Sequence, residues 1–286
     1  YEEMEKAFAL DETDARVYLE LDQLKKRMNV PVSERLEDME KHFTLVESRD
    51  DLYLEYVTLL NTLGEPAKAL GLIKARKFHQ WEGGEGKVAA QYLTALYQLA
   101  KAAVEEEKYT EAKTILLQAV DEYPHNLGEG KLESAQENNL YYLLGQVQEK
   151  LGETEEASAS LTRACHGESE PVGMMYYNDQ PPEMIYYQGL AYRKLGNEEQ
   201  AVHRFRKLVE YGREHIEENV KIDYFAVSLP DLLIFEENLN ERNRKHCLFM
   251  MSLGLKGLGQ IDEAEKCAEE LLAGDNAHQG IRVHDL

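Results

Sequence analysis

Apolar residues recur along this chain at the three- and four-residue spacing of a helix face, in runs joined by short polar turns. The run from residue 185 to 208 shows the pattern most completely, with apolar or small residues at Ile185, Gly189, Tyr192, Leu195, Ala201, Phe205 and Leu208. This periodicity predicts two helices that share a buried stripe across a turn at residues 195–197. Gly189 and Ala201 are small, so we expect the two helices to cross closely there.

The same pair of helices is predicted at least four more times. In each pair a position of the first helix precedes an alanine by twelve residues, at 57 and 69, 100 and 112, 145 and 157, 189 and 201, and 252 and 264. Four of the five turns carry Leu-Gly, at residues 63–64, 151–152, 195–196 and 258–259. Recurrence of one unit is the signature of a stacked helical array. We therefore predict an all-α stacked array of about six hairpins with long insertions between them, forming one domain over residues 1–286.

The hairpins are predicted at about residues 14–44, 51–76, 91–123, 138–165, 183–211 and 245–272, the first of them irregular. Long insertions separate them: residues 78–87, 126–131, 173–182 and 212–244, the last centred on Asp223 to Leu233. Insertions in repeat arrays map to one face, which is often the binding face. The chain starts at Tyr1 without Met, so we expect a fragment of a longer protein.

Charge and composition limit the classes of partner, cofactor and cellular location that we expect for this chain. With 54 acidic and 32 basic residues the net charge is −22, which disfavours nucleic acid and anionic lipid. No apolar run is long enough to span a bilayer. Three cysteines without a Cys-x-x-Cys pair favour reduced thiols and a cytoplasmic location. The histidines and cysteines lack the spacing of a chelate loop, so neither a metal nor another cofactor is predicted.

The repeats resemble tetratricopeptide repeats, which implies a right-handed superhelix and an interaction scaffold rather than an enzyme. The segments Arg76 to Val88, Asn126 to Lys131 and Asp223 to Leu233 are more specific. Together they resemble the repeat region of large bacterial proteins whose uncharacterised front domain is similar to galactose-mutarotase-like β-sandwiches. Gln80 stands where that family would have proline. The resemblance implies an architecture and a carbohydrate-related context, and no catalytic residue is carried over from it.

The repeated Gly-Glu-Gly-Lys at residues 84–87 and 128–131 forms the first candidate site. It lacks the glycine and the Ser or Thr of a nucleotide-binding loop. Glu85 and Glu129 occupy equivalent loops, so they are candidates for a carboxylate pair that acts on a saccharide stacked on Trp81. The other candidate ligands there are His79, Lys87 and Lys131. A closed (α/α)6 toroid would host such a site, whereas the repeat register favours an open superhelix. In the structural interpretation, the glycines make tight turns and the carboxylates of Glu85 and Glu129 cap the helices that follow them.

The concave groove forms the second candidate site. By the resemblance, the fifth position of each first helix lines the groove, and here it is mostly aromatic: Leu54, Tyr97, Tyr142, Tyr186 and Phe249. Polar residues surround that row: Asn61, Lys101, Asn139, Gln146, Arg193 and His246. Such a surface suits an apolar peptide segment or a sugar. Alternatively, the rings pack on neighbouring helices. The Lys/Asn pair that binds acidic C-terminal peptides in some family members is missing at this position.

Two functions remain from the sequence. The first is a non-catalytic scaffold whose aromatic groove binds another protein or a neighbouring domain of the same chain. The second is a carbohydrate-binding module, or a glycoside-active domain, that uses Glu85 and Glu129.

Overall fold

A computed structural model describes residues 1–81, 83–121, 127–132, 135–173, 179–221, 235 and 238–286. Within these ranges the chain forms helices and no strand, which confirms the all-α prediction. The central residues of the predicted insertion at 212–244, Asp223 to Leu233, lie outside the described part, as do residues 174–178 of the insertion at 173–182.

The helices, numbered in chain order, are α1 (Glu2–Leu10), α2 (Ala15–Arg27), α3 (Val32–Lys41), α4 (Phe43–Ser48), α5 (Asp50–Thr62), α6 (Pro66–Ala75), α7 (Lys87–Glu105), α8 (Tyr109–Val120), α9 (Asn138–Leu151), α10 (Thr154–Ala164), α11 (Pro182–Lys194), α12 (Glu198–His215), α13 (Leu239–Gly257), α14 (Ile261–Gly274) and α15 (Gln279–Val283). The six predicted hairpins correspond to α2/α3, α5/α6, α7/α8, α9/α10, α11/α12 and α13/α14. The sequence analysis did not predict α1, α4 or α15.

Small residues set the crossing of the α9/α10 and α11/α12 pairs, as the spacing predicts. A Cβ atom on Gly189 would lie 2.4 Å from the ring of Phe205 on the paired helix. In the α9/α10 pair, a Cβ on Gly145 of α9 would lie 2.6 Å from the Leu161 side chain of α10. The partner alanines Ala157 and Ala201 are buried. Larger side chains at these positions would push the helices apart.

The turns between paired helices share one backbone arrangement. Gly152 and Gly196 have φ of +78° and +81°, the left-handed conformation that ends many helices. The next residue donates its N–H to a carbonyl one turn back, at 2.9 Å from Glu153 to Gln148 and from Asn197 to Tyr192. The α7/α8 turn achieves the same geometry with Glu107, at φ 58°.

Neighbouring pairs stack so that the first helices form an inner layer. Helix α5 contacts α7, α7 contacts α9, α9 contacts α11, and α11 contacts α13. The second helices α6, α8, α10 and α12 each pack against the first helix of the next pair. The first hairpin joins this stack through a buried ionic group in which Arg35 of α3 lies 2.6 Å from Asp22 of α2 and 2.7 Å from Glu55 of α5.

The array does not stay open as the repeat register predicts. Asn276, after α14, is hydrogen-bonded to Asn29 and Val32 at the α2/α3 turn, with Nδ2 of Asn276 2.7 Å from the Asn29 carbonyl oxygen. Helix α15 then contacts α5. Residues 275–286, which we call the closing segment, therefore connect the last hairpin to the first. Sequence periodicity gives no sign of this contact because the segment is not part of any repeat.

Candidate functional site

The closing segment lies on the inner layer of helices, where the sequence placed the groove. Its side chains contact α5, α7, α11 and α13. Ile281 and Val283 are 2% and 5% exposed, while Arg282 and Asp285 remain exposed. A segment of the chain itself therefore covers part of the inner surface of these helices.

Aromatic residues form the centre of this contact. The hydroxyl groups of Tyr97 and Tyr187 are 2.7 Å apart, and the Tyr187 hydroxyl is 2.9 Å from Nδ1 of His284 in the closing segment. The ring of Tyr142 lies 5.7 Å from that of Tyr187. Burial raises the pKa of the Tyr187 hydroxyl well above its usual value, so it stays protonated. The rings of Tyr97 and Tyr142 thus both lie beside that of Tyr187.

Phe249 of α13 packs against the start of the closing segment. Its ring centroid is 4.7 Å from that of His278. A Cβ atom on Gly280 would lie 2.5 Å from Cζ of Phe249, so only glycine fits without a shift. Tyr186 contributes less directly, because its ring packs on Phe205 of α12 at 5.8 Å and on the ring of Tyr187 at 5.4 Å.

A network of amide groups holds the start of α15. Gln279 and Gln91 pair through their side chains, at 3.0 Å and 3.1 Å in the two directions. Gln279 also donates to the Thr62 hydroxyl at 3.3 Å. Asn61, which is fully buried, donates to the Gln91 side chain at 2.9 Å. These bonds position the segment along α5 and α7.

Two lysines bind the end of the segment. Lys101 of α7 donates to the Val283 carbonyl at 3.0 Å and to Oδ2 of Asp285 at 2.6 Å. Lys256 of α13 donates to the carbonyls of His284 and Asp285. Burial lowers the pKa of Lys256, although the Asp285 carboxylate opposes this effect. The lysines thus come from helices at different points of the array.

Three histidines lie at or beside the contact. Burial lowers the pKa of His284 to about 3 and that of His246 to about 4. Burial also lowers the pKa of His278, whose Nδ1 accepts the Ile281 N–H at 3.3 Å. All three are therefore neutral at pH 7. His246 contacts the Val172 carbonyl at 2.8 Å rather than the closing segment.

The other groove candidates bind within the array. Nε2 of Gln146 donates to the Tyr142 hydroxyl at 3.1 Å. Arg193 donates to Glu198 at 2.7 Å and to the Gly257 carbonyl at 2.8 Å. Asn139 is half-buried in the first turn of α9. None of these three has a hydrogen bond with residues 275–286 in the described part of the chain.

Sequence reasoning missed Tyr187, Lys256 and the closing segment. Tyr187 sits one position after the expected groove row, and its hydroxyl reaches both Tyr97 and the segment. Lys256 lies near the end of α13, beyond the positions considered. The signal available in the sequence was the alternation of apolar and polar residues over Ile281 to Asp285.

The two glycine-rich loops pair with each other. The Phe78 N–H donates to the Leu127 carbonyl at 2.9 Å, and Gly128, at φ +92°, lies so close that a Cβ would be 1.7 Å from the Phe78 carbonyl oxygen. Glu129 accepts the N–H groups of Gly86 at 3.2 Å and Ala89 at 3.0 Å. Its carboxylate therefore caps the start of α7, which belongs to the preceding hairpin.

The remaining loop candidates have separate surroundings. Lys131 is 2.5 Å from Glu137, and exposed His79 binds Asp50 at 2.9 Å. Lys87 is the first residue of α7. Trp81 is half-buried beside Gly84, and Oε2 of Glu85 is a buried oxygen without a hydrogen-bond partner in the described structure. Both carboxylate oxygens of Glu129 accept hydrogen bonds from the chain itself, whereas Oε2 of Glu85 accepts none in the described structure.

The described residues contain no group of three or more His, Cys, Asp or Glu side chains placed to hold a metal ion. Among the described helices, none combines the length and the apolar character needed to cross a bilayer.

Three segments match family models described as tetratricopeptide repeat: residues 94–126 and 183–211 by one model, and residues 139–165 by a second. They correspond to α7/α8, α11/α12 and α9/α10. The chain therefore contains tetratricopeptide repeats, and this class of repeat forms surfaces for protein–protein interaction.

Solved structures with similarity include that of YrrB, described as a tetratricopeptide-repeat protein with an unusual peptide-binding site. It is 16% identical, with 87% of this chain and 97% of that chain covered and a TM-score of 0.29. A putative kinesin light chain from Podosopora anserina, with nearly identical repeats of this type, is 15% identical, with 77% and 92% covered and a TM-score of 0.31. MamA is 17% identical, with 75% and 91% covered and a TM-score of 0.27.

Proposed function

We propose that this chain is a non-catalytic scaffold that binds a peptide segment of a partner protein on the inner surface of α5, α7, α11 and α13. The observation that supports this function is the closing segment, which occupies that surface through side-chain and backbone contacts. A surface that holds one peptide with these contacts has the chemistry to hold another.

The groove suits a peptide better than a small polar ligand. Its centre is aromatic and buried, which favours the binding of apolar side chains. Its edges offer amide and ammonium groups that bind a peptide backbone, as Lys101 and Lys256 do with the carbonyls of the closing segment. Binding another protein would then require that the closing segment leave.

Selection from a random peptide library tests this function. The target is the full chain with Ile281→Asp, which places a carboxylate where a side chain is 2% exposed and so releases the closing segment. We expect enriched peptides that bind this variant, and that lose affinity when Lys101→Glu is added. If no peptide is enriched over the wild-type chain as background, the proposed function is wrong.

A second candidate, saccharide binding at the paired loops, is favoured by the unpartnered buried Oε2 of Glu85 and the nearby half-buried Trp81. The carbohydrate-related context of the family resemblance belongs to this candidate. Because Trp81 is the only tryptophan, a titration with mono- and oligosaccharides can follow its fluorescence directly. A saturable change that Glu85→Gln abolishes would support it, and a flat response would exclude it.

A further inference from the structure

We infer that the partner peptide carries the pattern of the closing segment, with two apolar residues at alternate positions followed by an acidic residue two positions later, and that it displaces this segment. Ile281, Val283 and Asp285 define the pattern. The inference rests on the proposed function and adds the class of peptide that the groove selects.

The apolar part of the pattern follows from burial. Ile281 and Val283 lose nearly all of their exposure on the inner surface, whereas Arg282 between them stays exposed. The position before Ile281 must be small, because Gly280 lies against the ring of Phe249. A competing peptide therefore needs the two apolar side chains and tolerates a polar one between them.

The acidic part follows from charge. Lys101 and Lys256 converge on residues 283–285 from two helices, and the Asp285 carboxylate is 2.6 Å from Lys101 Nζ. The chain as a whole has a net charge of −22, so an acidic peptide needs a local positive charge such as that of these lysines. The lysines thus favour an acid at this position, and the net negative charge of the chain disfavours acids elsewhere in the peptide.

The closing segment is held by the groove rather than by its own secondary structure. Helix α15 has five residues, which is too short to be stable alone. Its contacts with α5, α7, α11 and α13 are long-range, as shown by the hydrogen bonds of Gln279 and His284. As a tethered competitor it weakens the apparent affinity of any external peptide, because a linked segment has a high effective concentration.

A fluorescein-labelled peptide with the sequence of residues 276–286 tests the inference by anisotropy titration. The partners are the full wild-type chain and full chains with Ile281→Asp or, as a matched control, Ile261→Asp. Ile261 is 46% exposed on α14, so the same change there leaves the groove closed. We expect saturable binding to Ile281→Asp, and binding at least about tenfold weaker to the wild-type and control chains.

Peptide variants then test the pattern. We expect a peptide with Ile281→Ser to bind roughly tenfold more weakly or worse, because the isoleucine contact is lost. One with Asp285→Asn should bind about two- to fivefold more weakly, because the carboxylate is mostly exposed. When the chain combines Ile281→Asp with Lys101→Met, the peptides with Asp285 and with Asp285→Asn should bind it with equal affinity. Equal binding of the wild-type and Asn peptides to the Ile281→Asp chain would overturn the acidic part and leave the proposed function intact.

Two further outcomes would overturn the whole inference. One is binding of library-selected peptides, but not of the 276–286 peptide, to the Ile281→Asp chain. The other is a complex of wild-type and Ile281→Asp chains in light scattering without binding of free peptide, which would indicate exchange of the segment between copies. If the circular dichroism spectrum of Ile281→Asp shows a loss of helix, Gly280→Ala replaces it as the open variant. The new Cβ of Gly280→Ala would displace the segment from Phe249. Absence of peptide binding to a folded Gly280→Ala chain would contradict the inference.

Discussion

The paired loops and the inner surface both combine aromatic rings, glycines and charged groups, yet they connect different parts of the array. At the loops, Phe78 binds Leu127, and Glu129 caps α7, so the contacts join adjacent hairpins. On the inner surface, Gln91 binds Gln279, which is 188 positions away. The loop contacts stabilise stacking, whereas the groove contacts hold one segment across many repeats.

This difference bears on which region is replaceable. Each loop contact satisfies backbone groups, at Phe78 and Leu127 and at the start of α7, so another molecule cannot substitute for them without unstacking the hairpins. The closing segment contributes few residues and inserts them into a surface that the helices already form. The loops are therefore expected to control stability, and the groove to control binding. The following changes test that division, beginning with the largest effect.

Gly128→Ala should damage the paired loops most. The new Cβ would fall 1.7 Å from the Phe78 carbonyl oxygen, at a backbone φ of +92° that alanine avoids. We expect the free energy of unfolding in urea, followed by circular dichroism, to fall by about 3 kcal/mol. Gly130→Ala is the matched control, since no heavy atom lies within 4 Å of its Cβ. Similar losses for both variants would mean that the loops do not pair in this way.

Acid should weaken the groove contact. The pKa of His284 is lowered to about 3 in the closed state and returns to about 6.5 on release, so the released state binds a proton first as the pH falls. Closure is at full strength above about pH 6.5 and weakens progressively toward pH 3. At pH 5 the loss from His284 alone should be about 2 kcal/mol.

Other charged groups at the contact modify this effect. Lys101 and Lys256 lower the pKa of His284 further, and Asp285 raises it. Burial lowers the pKa of His278, Asp275 raises it and Lys245 lowers it. Urea unfolding at pH 7 and pH 5 measures the loss. We expect His284→Asn to reduce the pH dependence, and His203→Asn, on the exposed face of α12, to leave it unchanged. If His284→Asn shows the same loss of stability between pH 7 and pH 5 as the wild-type chain, burial of this imidazole is contradicted.

Glu129→Ala should cost about 1 kcal/mol of stability, because α7 loses the acceptor of two N–H groups at its start. Glu85→Gln, in the equivalent loop, should cost little, since Oε2 of Glu85 has no hydrogen-bond partner in the described structure. Thermal unfolding of the two variants compares the sites directly. A larger loss at Glu85 would reverse the assignment of the two carboxylates.

Tyr187→Phe should have the smallest effect, about 1 kcal/mol or less. It removes the hydroxyl that links Tyr97 to His284 and keeps the ring. Tyr192→Phe is the control, because the Tyr192 ring stacks under Arg204 and its hydroxyl has no hydrogen-bond partner among the described residues. Urea unfolding should separate the two variants, and equal stability would argue against the hydroxyl chain.

Much of the fold could be predicted because each hairpin carries the same constraints. The twelve-residue spacing that ends at Ala157 and Ala201 marks helix crossings, and Gly152 and Gly196 mark turns, so periodicity alone locates the pairs. The cap at Glu129 was also within reach as the structural interpretation, although the sequence suggested that it would cap the following helix.

The contents of the groove could not be predicted from the sequence in the same way. Tyr97, Tyr142 and Phe249 follow from the register, because position in a helix determines its face. The closing segment occurs once, has a five-residue helix, and depends on contacts with residues distant in sequence such as Gln91. Such contacts arise from tertiary packing and leave no local period.

Hydrogen–deuterium exchange of the full wild-type chain tests most directly whether the closing segment occupies the groove. The amides of His284 and Leu286 donate to the carbonyls of Gly280 and Ile281 at 3.1 Å and 3.0 Å, within a helix that cannot persist alone. We predict slow exchange in peptides covering residues 279–286, and loss of that protection in Ile281→Asp while α13 stays protected. Exchange of this segment within seconds in the wild-type chain would contradict the account.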